Sequence, residues 1–130
     1  MKTFHLQIVT PHGELFDGQA ERVVVRTNNG DVAIMAGHAN YVAVLGIGNA
    51  AVVTENERKK AVCTGGMLAV TNGEVRLIAT AFEWVEQIDK ERARRALERA
   101  EARLANSALS DEERAASMLA KRRALLRLSV

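Results

Sequence analysis

At 130 residues the chain is long enough for one sizeable core, or for a domain of about 85 residues with a smaller appendage, and two full domains are not expected. Apolar residues at 48% and charged residues at 26% are ordinary globular values, which argue against disorder, collagen and a coiled-coil rod. A net charge of +2 is too small to point to nucleic acid, and the single cysteine, Cys63, rules out an internal disulfide or a cysteine-based zinc site and reads as a buried apolar thiol.

No apolar run approaches the roughly 20 residues that span a bilayer. The start, Met1-Lys2-Thr3-Phe4-His5-Leu6-Gln7, lacks a signal-peptide core and a transit composition, so a cytosolic chain is expected. Along the chain, Phe4, Leu6 and Ile8 alternate with His5, Gln7 and Val9 ahead of a Thr10-Pro11-His12-Gly13 turn, which predicts a first strand. Arg22 to Thr27 follows and runs into Asn28-Asn29-Gly30-Asp31, where the Asn-Gly pair tolerates the positive φ of a tight hairpin. Further strands are predicted at Val32–Ile34, Tyr41–Leu45, Ala50–Thr54, Lys60–Thr64, Met67–Val70 and Glu74–Ala79, the last after Asn72-Gly73. Gly46-Ile47-Gly48 and Gly65-Gly66 read as turn or bulge glycines between them. Eight or more short strands with Gly and Asn turns indicate an antiparallel β-sandwich or barrel.

Near residue 85 the composition changes. Residues 1–84 hold 7 Lys/Arg and 8 Asp/Glu, net −1, whereas residues 85–130 hold 11 and 8, net +3. All 9 glycines and the only proline precede residue 74, and from Asp89 onward the chain is rich in Ala, Arg, Glu and Leu. Ala93, Ala96, Leu97, Ala100 and Leu104 recur at helical spacing behind Asp89, a natural N-cap. Ser110-Asp111-Glu112-Glu113 is a capping box for a second helix, whose apolar stripe is read as Ala115, Met118, Leu119, Leu125, Leu126 and Leu128. The short linker Asn106–Leu109 forces an antiparallel hairpin. The predicted architecture is thus α+β, mainly β: a sandwich over residues 1–85, then a two-helix hairpin over residues 86–130. Because the hairpin seam is largely alanine, contacts of about 0.8 kcal/mol per buried CH₂ must hold it, so it is expected to be marginal alone and suited to be a moving part.

Catalytic signatures are absent from the sequence. His5, His12 and His38 are far apart, and there is no His-Glu-x-x-His, no Gly-x-Ser-x-Gly, no Walker loop and no dinucleotide glycine fingerprint. A nucleic-acid-binding module and a small enzyme stand as alternatives. The first is disfavoured by 8 acids in the helical half and only 4% aromatics, the second by the lack of an acid/base pair.

Three spaced segments carry a family resemblance: Leu6-Gln7-Ile8-Val9-Thr10-Pro11-His12-Gly13-Glu14-Leu15-Phe16-Asp17-Gly18, Gly30 to Ala39, and Thr64-Gly65-Gly66-Met67-Leu68-Ala69-Val70. With Ile88-Asp89-Lys90-Glu91-Arg92-Ala93 and the ending Arg127-Leu128-Ser129-Val130, they resemble the epsilon subunits of F-type ATP synthases over nearly the whole chain. The family usually has Gly at Ala33, Leu at Met35, and Pro at Ala36 and Asn40, so the local loop conformation there is open.

What the resemblance implies is a non-catalytic subunit of a rotary complex. Its sandwich grips the gamma subunit and touches the c-subunit ring, coupling proton flow to ATP synthesis. Its hairpin permits hydrolysis when folded, and when extended toward the alpha/beta catalytic hexamer it blocks rotation in the hydrolysis direction. No nucleic acid is implied. Membrane association runs through the complex alone, at the cytoplasmic face of a bacterial plasma membrane, and the sequence does not separate that from a thylakoid. Asp31 matches an acidic position used at the c-ring contact, and His38 lies in the segment that faces gamma.

No obligatory cofactor or metal is implied, but several bacterial members hold ATP as a regulatory ligand. Ile88, Asp89, Arg92 and Ala93 match that motif, Glu83 is its preceding carboxylate, and Arg99 and Arg122 occupy matching helical positions. A further basic position of the family is Leu126 here. Arg122 also reads as a charge interrupting the apolar stripe of the second helix, costly if unpaired, and accounted for either by a bound anion or by an end-of-helix arginine that snorkels to water.

Overall fold

A computed structural model describes residues 2–130. Strands fill the first part: β1 (Phe4–Thr10), β2 (Gly13–Ala20), β3 (Arg22–Thr27), β4 (Gly30–Met35), β5 (Tyr41–Val53), β6 (Arg58–Thr71), β7 (Glu74–Ala79) and β8 (Phe82–Trp84). A 3₁₀ turn (Val85–Gln87), α1 (Lys90–Leu104) and α2 (Asp111–Ser129) follow. The chain divides into two compact units, Met1–Val85 and Glu86–Val130.

Hydrogen bonds link the strands of the first unit in the order β2-β1-β7-β6-β5-β3-β4, with β8 on β6. All neighbours are antiparallel except β1 and β7, which run parallel from Leu6 opposite Val75 to Val9 opposite Ile78. One core cluster draws Leu6 and Leu77 from one end of that order and Val23, Val25 and Ile34 from the other, so the sheet folds over itself into a sandwich. Period-2 alternation places these residues inside, as in β7, where Val75, Leu77 and Ala79 are buried and Glu74, Arg76 and Ile78 are exposed. Cys63 lies in this core as a free thiol, donating to Gly65 O at 3.5 Å, and burial pushes its pKa up.

The central glycines do not end strands. The sequence divides Tyr41–Leu45 from Ala50–Thr54 and Lys60–Thr64 from Met67–Val70, but β5 and β6 run unbroken through Gly46, Gly48, Gly65 and Gly66. Gly65 and Gly66 hold φ of 111° and 131°, which lets β6 twist without stopping. Opposite Gly46–Gly48 the pairing of β3 with β5 slips register between Val24 and Thr27. Two strands, β2 and β8, leave little trace in the sequence pattern. β2 is exposed at most positions and bulges against β1 between Ile8 and Val9, so it lacks a clean alternation. β8 is only three residues long and is defined by its pairing with Ala61–Cys63.

In the second unit Asp89 caps α1, its Oδ1 accepting from Arg92 N at 3.1 Å. Ser110 caps α2 by accepting from Glu113 N at 3.1 Å, and its hydroxyl donates to Glu113 Oε1 at 3.0 Å. The helices pack on one another as an antiparallel hairpin, and Lys90 Nζ ties its open end by donating to Leu128 O at 3.3 Å and to Val130 O. The apolar stripe that spacing predicts on α2 does not form the seam. Ala115, Met118, Leu119 and Leu125 are exposed, Leu126 and Leu128 are half-buried, and the buried positions are Ser117 and Ala124. Alanines at 93 and 100 on α1 let the backbones approach closely, and such a seam takes small residues and excludes Met and Leu. Among the described residues no helix is long and apolar enough to cross a membrane.

Candidate functional site

The sandwich presents two contrasting areas on the outer face of β5, β6, β7 and β1. Val44 lies directly opposite Met67, and Met67 opposite Ile78, so three apolar side chains form a row across neighbouring strands, with Val42 beside it. These residues keep 57%, 48%, 51% and 65% of their surface exposed, respectively, where an outer sheet face is normally polar. At the start of β5, His38 packs its ring against Tyr41 at 5.5 Å between centroids, while its Nδ1 meets Ala39 O at 2.7 Å. His38 therefore lies in the loop leading into the strand that carries Val42 and Val44.

Farther along the same face the surface turns polar. An open cavity of about 560 Å³ is lined by residues including His5, Gln7, Thr71, Glu74 and Arg76. Arg76 Nε donates to Gln7 Oε1 at 3.0 Å and Gln7 Nε2 to Glu14 Oε2 at 2.8 Å. His5 bridges Asp17, through Nε2, and Glu74, through Nδ1 at 3.6 Å. The hydrogen bond to Asp17 raises the His5 pKa above 6.5, against a lowering by burial, and Glu74 adds to the rise. A group whose folded pKa is raised contributes stability that is fully present below its unfolded value and lost as pH rises through the folded one. NMR titration of the imidazole is expected to place the midpoint above 6.5, and Asp17→Asn to bring it back down. An unchanged midpoint in the variant would show that Asp17 does not set it. This cluster was missed by the sequence reading because His5, Asp17 and Glu74 are brought together only by the β2-β1-β7 pairing.

Asp31 stands at the β3–β4 tip, directly across from Arg26. Arg26 Nε donates to Asp31 Oδ1 at 2.5 Å, and this hydrogen bond lowers the carboxyl pKa below its usual 3.8. The turn itself is closed by Thr27 Oγ1, which donates to Gly30 O at 2.8 Å and accepts from Asn29 N at 3.1 Å.

The seven residues nominated for ATP are distributed over both units. Glu83 is half-buried in β8, opposite Val62. Ile88 is half-buried ahead of α1, Asp89 is engaged as its cap, and Ala93 is buried. Arg92 and Arg99 are exposed on α1, two turns apart on one side, and Arg122 is exposed on α2. Arg122 is not a charge buried in an apolar seam, as its spacing suggested, because the stripe around it faces outward too. Among the described residues none of these three arginines makes an ion pair. No group of three His, Cys, Asp or Glu among them is placed to hold a metal ion.

Both units match known families. The family described as ATP synthase, Delta/Epsilon chain, beta-sandwich domain matches residues 3–85, and that described as ATP synthase, Delta/Epsilon chain, long alpha-helix domain matches residues 86–130. An ATP synthase epsilon chain from Bacillus velezensis is 42% identical over 130 residues, covering 100% of this chain and 98% of its own length. One from Shouchella clausii is 39% identical over 130 residues, covering 100% of this chain and 96% of its own. Among solved structures, a chain of the Euglena gracilis mitochondrial ATP synthase, determined as OSCP/F1/c-ring in rotational state 1, superposes with a TM-score of 0.80. It is 25% identical, over 95% of this chain and 78% of that one. With both halves matched and the relatives aligned from end to end, the chain belongs to the ATP synthase delta/epsilon chain family and is one of its epsilon chains.

Proposed function

We propose that this epsilon chain docks its sandwich on the gamma subunit of the central stalk through the Val42, Val44, Met67 and Ile78 row, with Asp31 turned to the c-subunit ring. It acts as a non-catalytic subunit that couples the turning of the ring to the catalytic hexamer, at the cytoplasmic face of the membrane. The observation that carries this reading is the apolar row itself, a patch on an otherwise conventional sheet face that burial against a partner would stabilise. The hairpin is the regulatory part: it restrains hydrolysis by reaching the alpha/beta hexamer with its basic surface, and ATP held by Arg92, Arg99 and Arg122 keeps it folded. Three exposed arginines that make no ion pair among the described residues support that second role, since guanidinium groups bind phosphate bidentately.

Met67 gives the test. In the middle of the row, Met67→Glu is expected to abolish co-purification with gamma while changing the stability of the isolated chain by only about 0.5 kcal/mol, as surface substitutions do. Undiminished capture of gamma by the folded variant would overturn the docking surface.

A further inference from the structure

We propose that Arg26 is a positioning residue for Asp31: laid along the glycine-lined surface of β5, it fixes the carboxylate at the β3–β4 tip in the place from which a cationic loop of the c-subunit ring reads it. This rests on the assignment of Asp31 to the ring contact.

The geometry of the tip separates this pair from an ordinary surface ion pair. An exposed cross-strand pair of long side chains is usually loose and contributes little, because both partners must be held against rotamer freedom. Here the cation is held by the strand beneath it. A Cβ placed on Gly48 would come within 2.6 Å of Arg26 Cβ and 2.8 Å of its Cγ, and one on Gly46 within 3.6 Å of the Cγ. The stem of Arg26 therefore occupies the room that side chains at 46 and 48 would fill, and its guanidinium is delivered across the hairpin to Asp31 with few other rotamers open to it. Register supports the same arrangement, since Arg26 and Asp31 are directly opposed in the β3–β4 ladder.

The consequence for recognition is specific. Arg26 takes Oδ1 of Asp31 through Nε, and among the described residues Oδ2 has no partner. With 59% of its side chain exposed, the carboxylate offers that second oxygen outward, oriented and ionised, to one donor on a facing loop. Gly46 and Gly48, which look like turn chemistry in the sequence, thus serve a contact made two strands away.

The test uses full-length chain assembled with gamma and measures its capture by the purified c-ring. Asp31→Asn is expected to weaken capture about tenfold, and Arg26→Ala nearly as much although the carboxylate is retained. Arg26→Lys, which keeps the charge but not the planar Nε–H, is expected to fall between Arg26→Ala and the parent. Combining Arg26→Ala with Asp31→Asn is expected to be no worse than Asp31→Asn alone, because Arg26 acts through Asp31. In the isolated chain, NMR titration of the Asp31 carboxyl is expected to move up toward the ordinary range in Arg26→Ala, a readout that general loosening of the fold would not produce. If Asp31→Asn captures the ring normally, the assignment of Asp31 to the ring contact fails and the proposal with it. If Asp31→Asn is weak and Arg26→Ala normal, the ring contact stands and the positioning role is overturned. Additive losses in the double variant overturn it as well.

Discussion

Replacing Gly66 with alanine is expected to cost about 3 kcal/mol or more, a large share of the roughly 5–15 kcal/mol that holds an ordinary domain folded. Gly66 has φ of 131°, a conformation that L-residues rarely adopt. A Cβ there would sit 2.1 Å from Ile78 O and 2.7 Å from Ala79 Cα, both backbone atoms, so no side-chain rotation relieves the clash. Relief requires β6 to part from β7 where Gly66 pairs with Ala79, next to the apolar row. Gly73→Ala is the matched comparison: its φ of 85° is also positive, but nothing lies within 4 Å of the added carbon. Only the conformational penalty applies there, about 1–2 kcal/mol. Urea denaturation of both variants checks the difference, and equal losses would mean that φ alone, not the approach of β7, makes Gly66 necessary.

Ending the chain after Val85 is expected to leave a cooperatively folding sandwich and to release the brake on hydrolysis. Every member of the core cluster lies between Phe4 and Trp84, so removing the helices opens no cavity in it. Phe82 and Trp84, edge to face at 5.3 Å, close that core from β8, with the Lys59 ammonium 4.5 Å from the centre of the Trp84 ring. Cutting before β8 would instead remove both rings. Reassembled with gamma and the catalytic hexamer, the shortened chain is expected to raise ATP hydrolysis several-fold, and an unchanged rate would count against the brake. Calorimetry separates the nucleotide from the brake. The intact chain is expected to bind ATP saturably, and both the truncation and Arg92→Ala to lose the signal. A silent titration of the intact chain would leave Arg92, Arg99 and Arg122 as solvated charges and the brake independent of ATP.

Local chemistry made much of the fold legible. Alternation in Phe4–Val9 and Glu74–Ala79, the Asn72-Gly73 pair with φ of 51° and 85°, and the caps Asp89 and Ser110 each act within a few residues, so spacing alone reveals them. What spacing misreads depends on partners distant in sequence. Gly46 and Gly48 look like the end of a strand, and only the Arg26 stem lying over them explains why the strand continues. Leu119 and Leu125 look like core, and only the closeness allowed by Ala93 and Ala100 on the other helix explains why Ser117 and Ala124 are buried instead. The candidate residues divide in the same way. Asp31 is recognisable from its tip, but its ion pair with Arg26 is set by β-register, and so is the meeting of His5 with Asp17 and Glu74.

The parallel ladder between β1 and β7 bears on how the chain is made. Leu6 is aligned with Val75, so β1, synthesised well before β7, waits for it to complete their ladder. At roughly 5–20 residues per second that interval is several seconds. During it the hairpin of β1 and β2 has an unsatisfied edge, and Phe4, Leu6 and Ile8, fully or almost fully shielded in the finished protein, face water. Completion of the sandwich is then a long-range closure and belongs with the slower folding topologies. Nascent chains stalled before residue 74 are the species on which a chaperone would act.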